Sequence, residues 1–551
     1  MSLQNKLAVV FVSFAAIALA GCAASVNDQA VAPASGAFNN NNLSGTYVVA
    51  FSGTDNGNGN PSYYAMTGIV TANGNGAPTG GAMDLDDPAL GTALQTGYVF
   101  ADIPVSGNYS ITPDGRGNGS LSFTLNGAQV QFGLDFVLTS SSHGMITRFD
   151  NNGSGSGTLD LQQAAISQSA LQGSYSFGLG GVDSSIVNPL SAVGSFTLDG
   201  NGNVISGIED LNDNGNSSNL QALPIQGAVL AGSPGSAQLR TTAPGLGTLH
   251  FDVWAIDSTH LKFVETDSTA FLAGDAFVST GQTAFPSGPL VFTLGGEDTT
   301  QGPFVAGGLL TSDGSSQIQS GLEDINDEGY VAQAPSVSGN FTSSGARSVL
   351  TLNGIYNGDI TNNVVSGDYT FAAYPYSGGI MLLEIDGGAG STLGISSGNI
   401  YTQSATALTG SQSYGLNLSG ANTFGETDWI AEFTSSGNGA SGLYDANNSG
   451  SLISGYSLGS GGSYTVGPNG RGTMQFPGLQ INGSSIIPAL NLTFYVLDSS
   501  TAVFIETDGN QLATGAFQAQ DATNSPVAGP AHAMFMRPPV VAERNLRAIH
   551  R

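Results

Sequence analysis

The sequence predicts an all-β protein of tandem antiparallel domains, each most simply an eight-stranded up-and-down barrel, with a two-sheet β-sandwich as the alternative. Three observations predict it. First, GIEDLNDNG at Gly207–Gly215 returns as GLEDINDEG at Gly321–Gly329 and as GLYDANNSG at Gly442–Gly450, with a weaker echo, GAMDLDD, from Gly81. Second, a related strand opens each copy: LSGTYVVAF from Leu43, LQGSYSFGL from Leu171, FPSGPLVFTL from Phe285 and LTGSQSYGLNL from Leu408. These starts lie 128, 114 and 123 residues apart, the size of a small domain rather than of a solenoid unit. Third, the composition favours strands and turns. Gly numbers 80 and charged residues are only 9% of the chain, so helix-forming Lys and Glu are scarce.

With 40% hydrophobic residues the chain can bury real cores. Its formal charge of −29, with only 11 Lys and Arg, argues against nucleic acid as a partner, because binding there depends on cations that neutralise phosphates.

Taken in order, the chain starts with Lys6, an apolar run Leu7–Ala20 and the tetrapeptide Leu19-Ala20-Gly21-Cys22, which holds the single cysteine. The apolar run is short for a bilayer span and suits a signal-peptide core. This start resembles that of bacterial lipoproteins. The resemblance implies cleavage before Cys22 and lipidation of its thiol and new amino terminus. Ala23 rather than Asp at the next position then implies the outer membrane of a Gram-negative envelope. Residues 1–21 are the expected signal peptide and 22–42 a lipidated, flexible tether of small and polar residues. The whole plan resembles bacterial repeat lipoproteins with Gly- and Asn-rich β-domains, a class that implies no one activity.

The expected domains are 43–162, 171–281, 285–403 and 408–520. Within each, Asp-Gly and Asn-Gly pairs between apolar runs mark hairpins, as at Asp199–Gly202. Later strands alternate: Phe132, Leu134, Phe136 and Leu138 share one face, as do Leu490, Leu492, Phe494 and Val496. Local connections of hairpin length make the strands antiparallel, and one apolar face requires closure or a second layer. Residues 521–551 depart from the pattern and carry Arg537, Arg544, Arg547 and Arg551. This tail reads either as a frayed end or as a basic clasp for an acidic repeat or an anionic envelope polymer.

Three constellations could carry chemistry. The recurrent stretch reads as a tight polar corner. Asp210, Asn212 and Asn214, Asp324, Asn326 and Glu328, and Asp445 and Asn447 offer oxygen ligands with calcium-loop spacing. The twelfth loop position is Gln221, Pro335 or Tyr456, not Glu, so this is no EF-hand. Turn chemistry, with Asp and Asn as caps, explains the same residues, and calcium is the one cofactor they suggest. The second constellation is the acid pairs Glu265/Asp267, Glu384/Asp386 and Glu506/Asp508. Three copies argue against catalysis, and the acids are expected to end strands in solvent or to accept hydrogen bonds from a turn. The third is Arg116, Arg347 and Arg471, which occupy one hairpin position in three copies. Each is expected to pair with a carboxylate of its own repeat, in the Glu-x-Asp strand or the Gly-x-x-Asp corner. The five histidines lack metal-ligand spacing, and the GISSG match at Gly394–Gly398 lacks a strand-turn-helix context.

The expected function is that of a non-enzymatic, lipid-anchored envelope or surface protein. It would act as a structural or interaction module whose partners are the outer membrane, an envelope polymer or another surface protein. The alternative is a small-molecule or carbohydrate binder using the barrel mouths, for which 2 Trp supply little sugar-stacking surface.

Overall fold

The computed structural model describes residues 37–523, apart from short segments at 58–60, 164–165, 187, 215, 280–284, 298–301, 356–366, 387–393, 423–424, 459–460, 482–483 and 488. The expected signal peptide, Cys22 and all but the first residues of the basic tail lie outside the described residues.

Each repeat is an eight-stranded antiparallel barrel in up-and-down order. The first barrel comprises Ser44–Asp55, Ser62–Asn73, Pro78–Asp86, a fourth strand in two halves (Val99–Pro104 and Ser106–Ile111), Arg116–Leu125, Ala128–Leu138, His143–Arg148 and Gly153–Leu161. Its first strand pairs with both the second and the last. The same closure recurs in the other three barrels. The fourth strand is also split in the second barrel (Leu223–Pro224, Gln226–Leu230) and in the fourth (Ser451–Ser457, Gly462–Val466). In the third barrel it runs unbroken as Tyr330–Ser344, with two register shifts. The barrel prediction therefore holds over the sandwich.

The interiors are filled, as expected for eight strands. In the first barrel Phe51, Tyr64, Phe123 and Phe132 meet edge to face at 5.4–6.3 Å. Leu134, Phe136 and Leu138 join them from the face that the alternation predicts. Many strands are also buried on the outward face. Leu490–Val496 is buried at every position except Asn491. The second face packs against a neighbouring barrel, which satisfies a run too apolar for a solvated sheet.

Three local expectations are corrected. The recurrent Gly-x-x-Asp stretch is not a corner but the third strand of its barrel: Pro78–Asp86, Asn203–Asp213, Gln317–Asp327 and Gly439–Asn448. Only its last residues turn. Glu328 and Gly329 (φ 48° and 90°) and Ser449 and Gly450 (φ 46° and 90°) have the paired positive φ of a type I′ hairpin, which explains the closing glycine. The tether reading fails for its end. Phe38 is 2% exposed in the core of the first barrel, and Asn39 caps a turn at Asn40–Asn42. The helix Pro88–Leu94 was not anticipated. Asp87 caps it through Leu90 N–H, Pro88 opens it and Gln95 ends it in the left-handed region.

Candidate functional site

Along a third strand such as Asn203–Asp213, Leu211 faces the barrel core while Asp210 and Asn212, two residues apart, face outward and are fully buried. What buries them is the next barrel. Arg347 of the third barrel donates from Nε and Nη2 to Asp210 at 2.7 and 2.6 Å, and the Tyr374 hydroxyl donates at 2.6 Å. Ala222 N–H of its own barrel completes the set. One joint on, Arg471 and Tyr495 of the fourth barrel bind Asp324 with the same atoms at 2.7, 2.6 and 2.6 Å, and Ala334 N–H takes the place of Ala222. The planar guanidinium matches the carboxylate with two parallel bonds.

The fourth barrel then meets the first. Arg116 donates to Asp445 at 2.8 Å and to Asp114 at 3.0 Å. The strand position of Tyr374 and Tyr495 is here Val137, which has no hydroxyl; Ser454 Oγ and Gly455 N–H bind Asp445 instead. At the joint between the first and second barrels, Asp84 accepts from Trp254 Nε1 at 2.5 Å and from Asp102 N–H. Trp254 holds the tyrosine position, and among the described residues no arginine bonds Asp84. Four barrels are thus joined in order, the fourth returning to the first. Apolar contacts seal the joints: Val48, Tyr63 and Val182 around Trp254, Val193 and Phe277 around Tyr374, and Val137, Ile430 and Met145 near Tyr495.

The asparagines repeat the device. Asn212 Nδ2 donates to the carbonyls of Glu384 and Gly394, Asn326 to those of Glu506, Asp508 and Gln511, and Asn447 to those of Arg148, Asp150 and Gly153. Each side chain staples the end of a strand in the next barrel. In the first barrel the position holds Asp86, fully buried beside Glu265 of the second, with no hydrogen-bond partner for either carboxyl oxygen. Burial and the neighbouring Glu265 push Asp86 well above the usual carboxylate range. Burial and Asp267 raise Glu265 to about 9.

The arginine expectation is therefore corrected in one respect. Arg347 and Arg471 pair with the Gly-x-x-Asp acid of the preceding repeat, not of their own, and Arg116 divides between Asp114 of its own barrel and Asp445 of the fourth. Of the two expectations for the acid pairs, exposure in solvent fails for the glutamates: Glu265 and Glu506 are 0% and Glu384 1% exposed, and Glu265 accepts from Ala270 N–H beyond the following turn. Their companion aspartates have a role inside each barrel. Asp267, Asp386 and Asp508 accept from His250, Thr370 and Asn491 N–H, and Asp150 does so from Gly133 in the first barrel. That barrel carries Arg148 where the others have glutamate. Arg148 pairs with Asp55 and Asp150 and lies 4.0 Å over the Phe132 ring.

For the calcium reading, Asp210 and Asp324 are gripped by guanidinium groups, Asn212, Asn326 and Asn447 are spent on carbonyls, and Asn214 is exposed in the turn. Glu328 lies in the turn that follows the third strand. Among the described residues no group of three or more His, Cys, Asp or Glu could hold a metal ion. No helix among them is long and apolar enough to cross a membrane.

No protein-family model matches the chain, and no curated protein matches its sequence. Among solved structures it is similar to a mutant of the vaccine antigen Transferrin Binding Protein B from Haemophilus parasuis, at 9% identity over 71% of this chain and 86% of that one, with a TM-score of 0.19. It is also similar to isotype 1 Transferrin Binding Protein B from serogroup B Neisseria meningitidis, at 11% identity over 68% and 84%, with a TM-score of 0.18. Likeness at that level does not reach the arrangement of barrels.

Proposed function

We propose that the chain is a non-enzymatic, lipid-anchored protein of the bacterial envelope that presents a rigid, acidic ring of barrels as an interaction module. The observation that carries the reading is the cyclic set of joints at Asp84, Asp210, Asp324 and Asp445. Buried polar side chains at these places are spent on holding barrels together, and the interiors are filled with their own aromatic residues. Such a ring offers a partner a broad fixed surface rather than a deep cavity. With −29 of formal charge on the chain, that surface favours cationic partners. The amino-terminal Leu19–Cys22 stretch supplies the expected anchor.

The test is fractionation of a Gram-negative host that expresses the full chain or Cys22→Ser, with palmitate labelling. The reading expects labelled protein in the outer-membrane fraction and unlabelled Cys22→Ser in soluble fractions. Full chain found unlabelled and soluble would overturn it.

A further inference from the structure

Where the fourth barrel returns to the first, a cleft of about 390 Å³ remains, lined by Arg116, Asn118, Asp135, Phe149, Asp445 and Ser454 among others. Asp135 lies on the strand Ala128–Leu138 between Leu134 and Phe136, which point inward, so its own carboxyl points out into the cleft. It is 5% exposed, and among the described residues no group is seen to hydrogen-bond its carboxyl. Arg116 is already committed to Asp114 and Asp445, which leaves Asp135 without an ion pair to it. Burial and the Asp445 charge push the Asp135 carboxyl up to about 8, so it keeps its proton near neutral pH until a cation arrives to favour the charged form. Phe149, half-buried on the wall, offers an aromatic face against which a cation is attracted. The equivalent strand position is Asp252 in the second barrel, Ala372 in the third and Thr493 in the fourth, so the carboxyl is not common to all four joints.

We infer that this cleft is a binding site for an alkylguanidinium or alkylammonium group, with Asp135 as its counter-ion and Phe149 as its wall. The inference deepens the interaction-module reading by placing one contact, and it stands on the cleft whether or not Cys22 is lipidated.

The cation can come from another molecule or from this chain. The described residues end at Thr523, just after contacts with the first barrel next to Arg116. Gln520 Nε2 bonds the carbonyls of Asp114 and Leu138 at 2.9 and 2.8 Å, and Asp521 N–H bonds that of Thr139. Residues 524–551, with Arg537, Arg544, Arg547 and Arg551, follow.

The experiment is calorimetric titration of agmatine into the full chain, Asp135→Asn, Asn118→Trp at the exposed rim, and a full-length variant with Arg544, Arg547 and Arg551 all changed to Ala. Binding to the unaltered chain that weakens roughly tenfold in both Asp135→Asn and Asn118→Trp supports the site with an external cation. Weak binding to the unaltered chain that strengthens in the arginine variant supports the site with the tail as its occupant. Equal affinity for the unaltered chain and Asp135→Asn, or no heat from either the unaltered chain or the arginine variant, overturns the inference. Asn118→Trp alters only an exposed side chain, so it reads the cleft even if Asp135→Asn perturbs folding.

Discussion

Arg347 and Asp210 stand 137 residues apart in sequence and meet through two bonds of 2.7 and 2.6 Å, with the Asp210 carboxyl fully buried between two barrels. The pair turns two separate domains into one body, and its counterpart Arg471–Asp324 repeats the joint one barrel on.

Removing one partner of such a pair strands the other without its charge. Arg347→Ala is expected to lower the stability of the full chain by about 3 kcal/mol, read as a fall in the urea midpoint. Asp210→Ala should cost a similar amount, and the double variant less than the sum, because the residues share one interaction. Additive losses would show that the pair does not couple the barrels.

The joint between the first and second barrels should depend on pH. Asp86 is held well above the usual range and Glu265 at about 9, both first by burial. The unfolded chain releases these protons at about pH 4, so the folded joint binds more protons than the unfolded chain from there up to about pH 9. Stability is therefore greatest on the acid side of that window and falls as pH rises through it. Asp86→Asn restores the donor that Asn212, Asn326 and Asn447 supply elsewhere. It is expected to stabilise the chain by about 1–2 kcal/mol near pH 8 and hardly at all near pH 5. Melting curves of both chains across that range test it; parallel curves would contradict it.

Asn447 satisfies three carbonyls of the first barrel. Asn447→Ala leaves them buried without a donor, at about 1–3 kcal/mol. Hydrogen exchange should quicken in Gly153–Leu161, beside the lost bonds, before it does in the core strands of the second barrel.

Millimolar calcium, or a chelator, is expected to leave the melting temperature unchanged, since a ligand stabilises only where it finds a site in the folded state. Both Asp210 oxygens already accept from Arg347. A rise with calcium that Asp210→Ala abolishes would restore the metal reading.

The barrel class was legible because its signals are local. Asn-Gly turns, period-two alternation at Phe132–Leu138 and four related opening strands need only neighbouring residues. The recurrence of Asp210, Asn212 and Arg347 was equally visible, but its meaning was not. Which repeat an arginine reaches depends on how closed barrels dock, and no spacing within one repeat encodes that. Asp and Asn in a Gly-flanked run read as turn residues because they are costly inside a strand. They sit there because the next barrel supplies their partners. Two departures were readable in hindsight. Asp87-Pro88 is a helix start, and Phe38, the one large apolar residue in an otherwise polar tether, marked where the tether ends.

The central claim is that the fourth barrel closes on the first. Ser156 and Asn417, one from each, face one another across that joint, their side chains 2.9 Å apart. In a Cys22→Ser background, Ser156→Cys with Asn417→Cys should be joined by a short thiol-to-thiol crosslinker under native conditions, giving a faster-migrating monomer that either single variant lacks. Two thiols that remain separately reactive in the folded double variant would mean that the barrels form an open string, and would contradict the ring.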